Sequence, residues 1–135
     1  MCTGNTCRSQ MAEGYLKFFI KKMLLNIEVY SAGIEAHGIN PNAHKIMLED
    51  GIDISNHSSN TIEDYIYKNI THVLTVCNHA NQNCPIFPEK TKLSHFNFND
   101  PSKLSGNENE IRSAFLKTRN EIKDYCEKYL INNFS

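Results

Sequence analysis

Residues 2–14 read CTGNTCRSQMAEG, a cysteine followed by five residues and then Arg8-Ser9, directly ahead of a helical pattern. Small and turn-tolerant residues let successive backbone N–H groups converge on one point, so Thr3, Gly4, Asn5, Thr6 and Cys7 are expected to form an anion-binding nest. A helix beginning near Ser9 adds further N–H donors and the positive end of its dipole. The planar fork of Arg8 suits two oxygens of a tetrahedral oxyanion, and Ser9 can donate to a thiolate. A cysteine at the mouth of such a cradle should ionise readily, with a pKa of roughly 3.5 to 7.5. The loop thus offers an anion site and a nucleophile, Cys2, aimed into it. The plainer alternative is a helix-entry loop with two buried cysteines. Gly4, Asn5, Ser9 and the helix behind them together favour the functional one.

Working outward, residues 9–25 are helical by pattern, with Met11, Tyr15, Phe18 and Phe19 on one face. Residues 26–33, NIEVYSAG, read as a short strand closed by Gly33. Residues 40–51 read as a helix with Pro41 near its start and Gly51 as its stop, and 61–70 as a further short helix. The β-branched run THVLTVC fits a buried strand ending at Cys77, and KLSHFNF a strand running into Asn99-Asp100-Pro101. A last helix spans about 108–130, where Ile111, Phe115, Thr118, Ile122, Tyr125 and Tyr129 form a buried stripe. The alternation implies one domain over residues 1–135, an α/β three-layer sandwich with a mostly parallel twisted sheet. In such sheets the ligand site lies beyond the carboxyl ends of the strands, where Cys77 and Asp100 are placed. A loop of this kind should itself follow a strand, yet only Met1 precedes it. Either a first strand is missing from the chain, or the sheet is built without one.

Charge is balanced, 14 basic residues against 15 acidic, which argues against a dedicated nucleic-acid or anionic-membrane binder. No secretory signal is visible and the most apolar helical run is interrupted by lysines, so a cytoplasmic protein is expected. Five cysteines are too few for a secreted disulfide scaffold. In a reducing compartment they point to metal binding or redox catalysis. Cys77 and Cys84 stand seven positions apart after a strand, separated by polar residues. Buried packing and zinc ligation are the alternatives, although the spacings match no common structural zinc signature.

The motif CTGNTCRSQMAEG resembles the phosphate loop of the low-molecular-weight tyrosine phosphatase superfamily, and more closely that of the thioredoxin-coupled arsenate reductases on the same fold. VYSAGIEAHGINPNA (29–43), DISNHSS (53–59), LTVCNHANQNCPIFP (74–88) and FNDP (98–101) extend the resemblance over nearly the whole chain. It implies that Cys2 attacks arsenate held by the N–H groups of residues 3–9 and by Arg8, with Asp100 as general acid. Cys77 would then attack Cys2, releasing arsenite, and Cys84 would attack Cys77, moving the disulfide to Cys77–Cys84 for reduction by thioredoxin. A phosphatase has no use for the second and third thiols. Cys7 and Cys126 are expected to take no part in the redox chemistry, and a monomer is expected.

The chain departs from the family at several places. Ser102 stands where phosphatases carry an aromatic after Asp-Pro, and Gln10 where they tend to carry proline; both weigh against a tyrosine phosphate substrate. The resemblance also implies a potassium site on Asn5, Glu13, Ser58 and Asn60. Asn60 replaces a carboxylate there, so weak or no potassium activation is expected. In the family a central strand carries the nucleophile at its end, so the natural product is expected to be longer by about seven residues, roughly one strand. The alternatives to a reductase are a low-molecular-weight phosphatase and a truncated oxyanion-binding protein without catalysis.

Overall fold

The computed structural model describes residues 1–65, 68–82 and 87–134. Helix α1, Arg8–Lys22, buries Met11, Tyr15 and Phe19. It packs on α4, Glu108–Phe134, whose Phe115, Thr118, Ile122, Cys126 and Leu130 are buried. Burial of a large apolar side chain contributes about 1.5–3 kcal/mol, so this seam is a main source of stability. Phe18 departs from the expected face: it is 46% exposed and rests edge-on against Phe19. Helix α2, Pro41–Glu49, packs on both α1 and α4. Asn40 caps it by accepting from the N–H groups of Asn42 and Ala43 at 2.8 and 3.3 Å, Pro41 opens it, and Gly51 at φ +78° turns the chain away.

Strands β1, His72–Thr75, and β2, Lys92–His95, pair in parallel, with His72 opposite Lys92 and Thr75 opposite His95. The short helix α3, Asn78–Gln82, follows β1 directly. On the other side of β1 lie Met1 and Cys2. The Met1 ammonium donates to the Leu74 carbonyl at 2.6 Å, and the Val76 N–H donates to the Met1 carbonyl at 2.9 Å. That is the hydrogen-bond pattern of a parallel pair centred on Thr75. Cys2 continues the line: its N–H donates to Ala32 and its carbonyl accepts from Ile34, a parallel bridge to Gly33. Gly33 bridges in turn to Thr61. The order across the sheet is therefore Thr61, Gly33, Met1–Cys2, β1, β2, all parallel, which matches the expected α/β class.

Two expected elements differ. Residues 26–33 form no ladder; only Gly33 is bridged, because Met1 and Cys2 reach only the end of this segment and a strand needs a neighbour along its length. The helix expected over 61–70 is a 3₁₀ turn, Ile62–Asp64, whose entry is held by the Thr61 bridge to the sheet; residues 66 and 67 lie outside the described residues.

Gly33 cannot carry a side chain. A Cβ there would lie 2.5 Å from the Glu35 carbonyl oxygen and 2.7 Å from both the Asn5 nitrogen and the Thr3 carbonyl oxygen, all backbone atoms. Gly33→Ala is expected to lower stability in urea unfolding by about 1–3 kcal/mol, the cost of overpacking a tight site. It should also weaken oxyanion binding, because two of the three atoms it strikes belong to the nucleophile loop.

Candidate active site

The loop from Cys2 to Arg8 is held by its carbonyl groups. Those of Cys2, Thr3, Gly4 and Thr6 accept from the N–H groups of Ile34, Glu35, His37 and Asn40 at 2.9–3.3 Å. The Asn5 carbonyl accepts from the Ser59 hydroxyl at 2.9 Å and the Gln10 amide at 3.1 Å, and that of Cys7 from the Met11 N–H at 2.9 Å. In contrast, the N–H groups of Gly4, Asn5, Thr6, Cys7 and Arg8 have no acceptor among the described residues. Carbonyls fixed outward with N–H groups left over is the arrangement of an anion nest. Asn5 makes the turn at φ +50°, a left-handed conformation that asparagine tolerates better than most residues.

A buried polar network fixes Asn5 in that conformation. Its amide nitrogen donates to Ser9 at 2.8 Å and Ser31 at 3.0 Å, and its Oδ1 accepts from Gln10 at 3.1 Å and from the Asn60 N–H at 2.8 Å. Ser31 donates onward to Glu13 Oε1 at 2.6 Å. Glu13 Oε2 is met by Lys17 Nζ at 2.7 Å and lies 3.2 Å from His57 Nδ1, which also lies 3.1 Å from Gln10 Oε1. Burial lowers the His57 pKa, against the opposing pull of Glu13. Gln10, Ser31 and His57 were not singled out as site residues. The available signal was a run of polar residues, Ser9, Gln10 and Glu13, on a helix turn that is wholly buried.

Arg8 is buried beside this loop. Its Nη1 donates to the Phe98 carbonyl at 2.8 Å, and its Nη2 faces Asp100 Oδ2 at 3.4 Å. Its Nε is buried with no partner among the described residues. A buried guanidinium N–H is costly to leave unpaired, so this donor is held ready for an incoming acceptor. Asp100 is oriented by Ser102, whose N–H and hydroxyl both donate to Oδ1, at 3.0 and 2.6 Å. The Asp-Pro turn therefore brings its carboxylate to the arginine, as the sequence implied.

Cys77 joins Cys2 at the same place. The two sulfurs are hydrogen-bonded to each other. The Cys77 pKa is lowered to about 4, chiefly because the Cys2 thiol donates to it; burial opposes this, while the Ala80 N–H, the Thr3 hydroxyl and Arg8 assist. The Ala80 N–H lies 3.4 Å and the Thr3 hydroxyl 3.6 Å from the sulfur. Cys2 is pushed up by that same hydrogen bond and then by burial, with Arg8 pulling the other way. The hydrogen bond between the sulfurs stabilises one thiolate in the pair, and the Arg8 guanidinium favours the charged form of either. Cys7 and Cys126 are buried thiols, each raised to about 12, with burial the main cause in both. Cys84 lies outside the described residues.

The proposed potassium ligands are placed as follows. Asn5 Oδ1 and both Glu13 oxygens already have the partners named above. Ser58 donates its hydroxyl to Asn60 Oδ1 at 2.5 Å, and the Asn60 amide turns to Asp64 at 3.1 Å. The four residues lie near one another; the Asn5, Glu13 and Asn60 oxygens accept from protein donors, while the Ser58 hydroxyl is itself a donor.

Known proteins place this geometry in context. The family model described as low molecular weight phosphotyrosine protein phosphatase matches residues 1–134. An arsenate reductase of Bacillus subtilis (strain 168) is 46% identical over 129 residues, 96% of this chain and 91% of that protein. An arsenate reductase of Staphylococcus aureus (strain Newman) is likewise 46% identical, over 96% of this chain and 92% of its own. Among solved structures, an arsenate reductase in the phosphate-binding state superposes with a TM-score of 0.75 at 29% identity, covering 97% of this chain and 93% of that one. With the nest, its arginine and its Asp-Pro turn all in place on a parallel α/β sheet, the chain belongs to the low molecular weight phosphotyrosine protein phosphatase family.

Proposed function

We propose that this protein is an arsenate reductase working through a thiol relay from Cys2 to Cys77 to Cys84. The observation that carries the proposal is the second sulfur at the nucleophile: Cys77 is hydrogen-bonded to Cys2 inside the oxyanion loop. A phosphatase mechanism leaves that sulfur without a task. The arsenate reductases it is similar to over nearly the whole chain support the same reading.

The loop N–H groups and Arg8 Nε bind arsenate, and the proton shared by the sulfurs moves to Cys77, leaving Cys2 as the thiolate. Cys2 Sγ bonds to arsenic(V), and one arsenate oxygen leaves as water with a proton supplied through Asp100. Cys77 then loses that proton to water and, as the thiolate, attacks Cys2 Sγ. The sulfur–sulfur bond forms, the sulfur–arsenic bond breaks, and its electron pair stays on arsenic, which departs as arsenite. Two thiols are thereby oxidised and one arsenic is reduced by two electrons. Cys84 attacks Cys77, freeing Cys2, and reduced thioredoxin takes up the Cys77–Cys84 disulfide by the same exchange chemistry. The protein acts as a monomer in the cytoplasm. Cys2, Arg8 and Asp100 alone would suffice to hydrolyse a phosphate ester, so weak phosphatase activity accompanies the reductase. Potassium activation is weak or absent, because Asn60 is neutral and the Asn5, Glu13 and Asn60 oxygens already accept from protein donors.

Four outcomes follow. Cys84→Ser is expected to release one arsenite per enzyme and then stop, with thioredoxin-coupled turnover at background and any phosphatase activity retained. Peptide mapping after arsenate treatment of the unaltered protein should show a Cys77–Cys84 disulfide, and its absence would sink the relay. Because the lowered pKa belongs to a group that is charged above it, thiolate ultraviolet absorbance should persist from neutral pH down to about pH 5. In Cys2→Ser that plateau should retreat towards the ordinary thiol range, since the replacement hydroxyl donates a weaker hydrogen bond. Finally, turnover should be the same in potassium and sodium salts, and strong potassium dependence would refute the reading of Asn5, Glu13, Ser58 and Asn60.

A further inference from the structure

Beyond His95 the chain of β2 keeps pairing with the chain of β1 on its way to the Asp-Pro turn. The Phe96 N–H donates to the Thr75 carbonyl at 3.0 Å, and the Phe98 N–H to that of Val76 at 3.1 Å. After Cys77 the other chain leaves the sheet to enter α3, and side chains take over from the backbone. His95 and Asn97 stand two residues apart, on one face of the extended run, and both reach Asn78, the first residue of α3. His95 Nε2 lies 2.8 Å from Asn78 Oδ1, and its Nδ1 lies 2.7 Å from the Thr75 hydroxyl. An amide oxygen only accepts, so Nε2–H is the donor to Asn78, and in the neutral ring Nδ1 accepts from Thr75. Asn97 Oδ1 accepts from the Asn78 N–H at 3.2 Å. The imidazole therefore straddles Cys77, bonding Thr75 before it and Asn78 after it. Within α3 the Ala80 N–H points back at Cys77 Sγ from 3.4 Å. That contact lasts only while the first turn of α3 keeps its place, and a helix of 5 residues has little stability of its own.

We propose that His95 and Asn97 are positioning residues for Cys77: by pinning Asn78 they hold the first turn of α3 to the sheet and keep the Cys77 sulfur at Cys2. The inference rests on the relay reading, in which Cys77 attacks Cys2 Sγ. The bonds of the two side chains go to residues 75 and 78, whereas the oxyanion loop is held largely from residues 34–40. Placement of the second sulfur and binding of the oxyanion are thus set by different parts of the chain, and substitutions should separate them. The same extended run carries Phe98, whose carbonyl accepts from Arg8, and then Asp100, which faces the arginine. One segment thereby fixes the second nucleophile, the arginine and the general acid in a common frame.

The test compares His95→Ala, Asn97→Ala and His95→Gln with the unaltered protein, in single turnovers at saturating arsenate without thioredoxin. In both alanine variants arsenite release is expected to slow about three- to tenfold, the worth of an ordinary hydrogen bond, while the Kd for inorganic phosphate stays within about twofold. Hydrogen exchange at the Ala80 amide should quicken by a similar factor. Glutamine can offer an amide N–H to Asn78 and an oxygen to Thr75, so His95→Gln is expected to restore most of the rate. The two alanine variants remove separate bonds, so if one fails to fold the other decides. Unslowed release in a folded alanine variant, slower release without faster exchange at Ala80, phosphate affinity falling in step with the rate, or glutamine as slow as alanine would each overturn the proposal. Absence of arsenite from the unaltered protein would overturn the reductase reading and this proposal together, whereas normal release with unslowed variants overturns this one alone.

Discussion

The geometry of the site depends on the outward anchoring of the loop carbonyls between Cys2 and Cys7. Each of those six oxygens is taken by a donor outside the nest, most of them backbone N–H groups of residues 34–40. A peptide plane whose oxygen is fixed on one side presents its N–H to the other, so anchoring the carbonyls aims the donors without any ligand present. Binding an oxyanion then requires little rearrangement, and preorganised donors are worth more in a buried site than in water. The segment at 32–40 is thus part of the active site although none of its side chains need touch the substrate. Gly33 is its keystone, since backbone atoms crowd it on three sides.

The charged network behind the loop serves the same end. Glu13 is a buried carboxylate, and a buried charge is tolerable only when paired and hydrogen-bonded. Lys17, Ser31 and His57 supply those partners. Through Ser31 and Gln10 the network reaches Asn5, the residue held in a left-handed turn at the centre of the nest.

Much of this was legible in the chain, because local chemistry decides it. The nest reads from Gly4, Asn5 and Arg8; the caps of α2 from Asn40, Pro41 and Gly51; the α1–α4 seam from helical periodicity. Asp100 reads from its turn. What could not be read is set by neighbours distant in sequence. NIEVYSAG has the composition of a strand, but a strand exists only where another lies beside it, and composition is silent on that. His57 and Gln10 look like ordinary polar residues until folding brings them to the same carboxylate. The pairing of the sulfurs is hidden for the same reason: the loop alone points to a Cys2 thiolate, and its hydrogen-bond partner Cys77 stands seventy-five positions along the chain.

The hydrogen bond between the sulfurs has a mechanistic consequence. Two neighbouring sulfurs in one buried site cannot both be ionised cheaply, since like charges in low dielectric repel strongly. The pair therefore holds one negative charge, and the reaction consumes it in sequence. In the proposed relay the proton would rest on Cys77 while Cys2 attacks, which would keep the second nucleophile from competing for the oxyanion. Once Cys2 was bonded to arsenic it would no longer carry charge, and the reason for Cys77 to stay protonated would disappear. With Arg8, the Ala80 N–H and the Thr3 hydroxyl already favouring its thiolate, Cys77 would ionise at the step where the proposed relay needs its attack. Electrostatics alone would then set the order in which the first two sulfurs act.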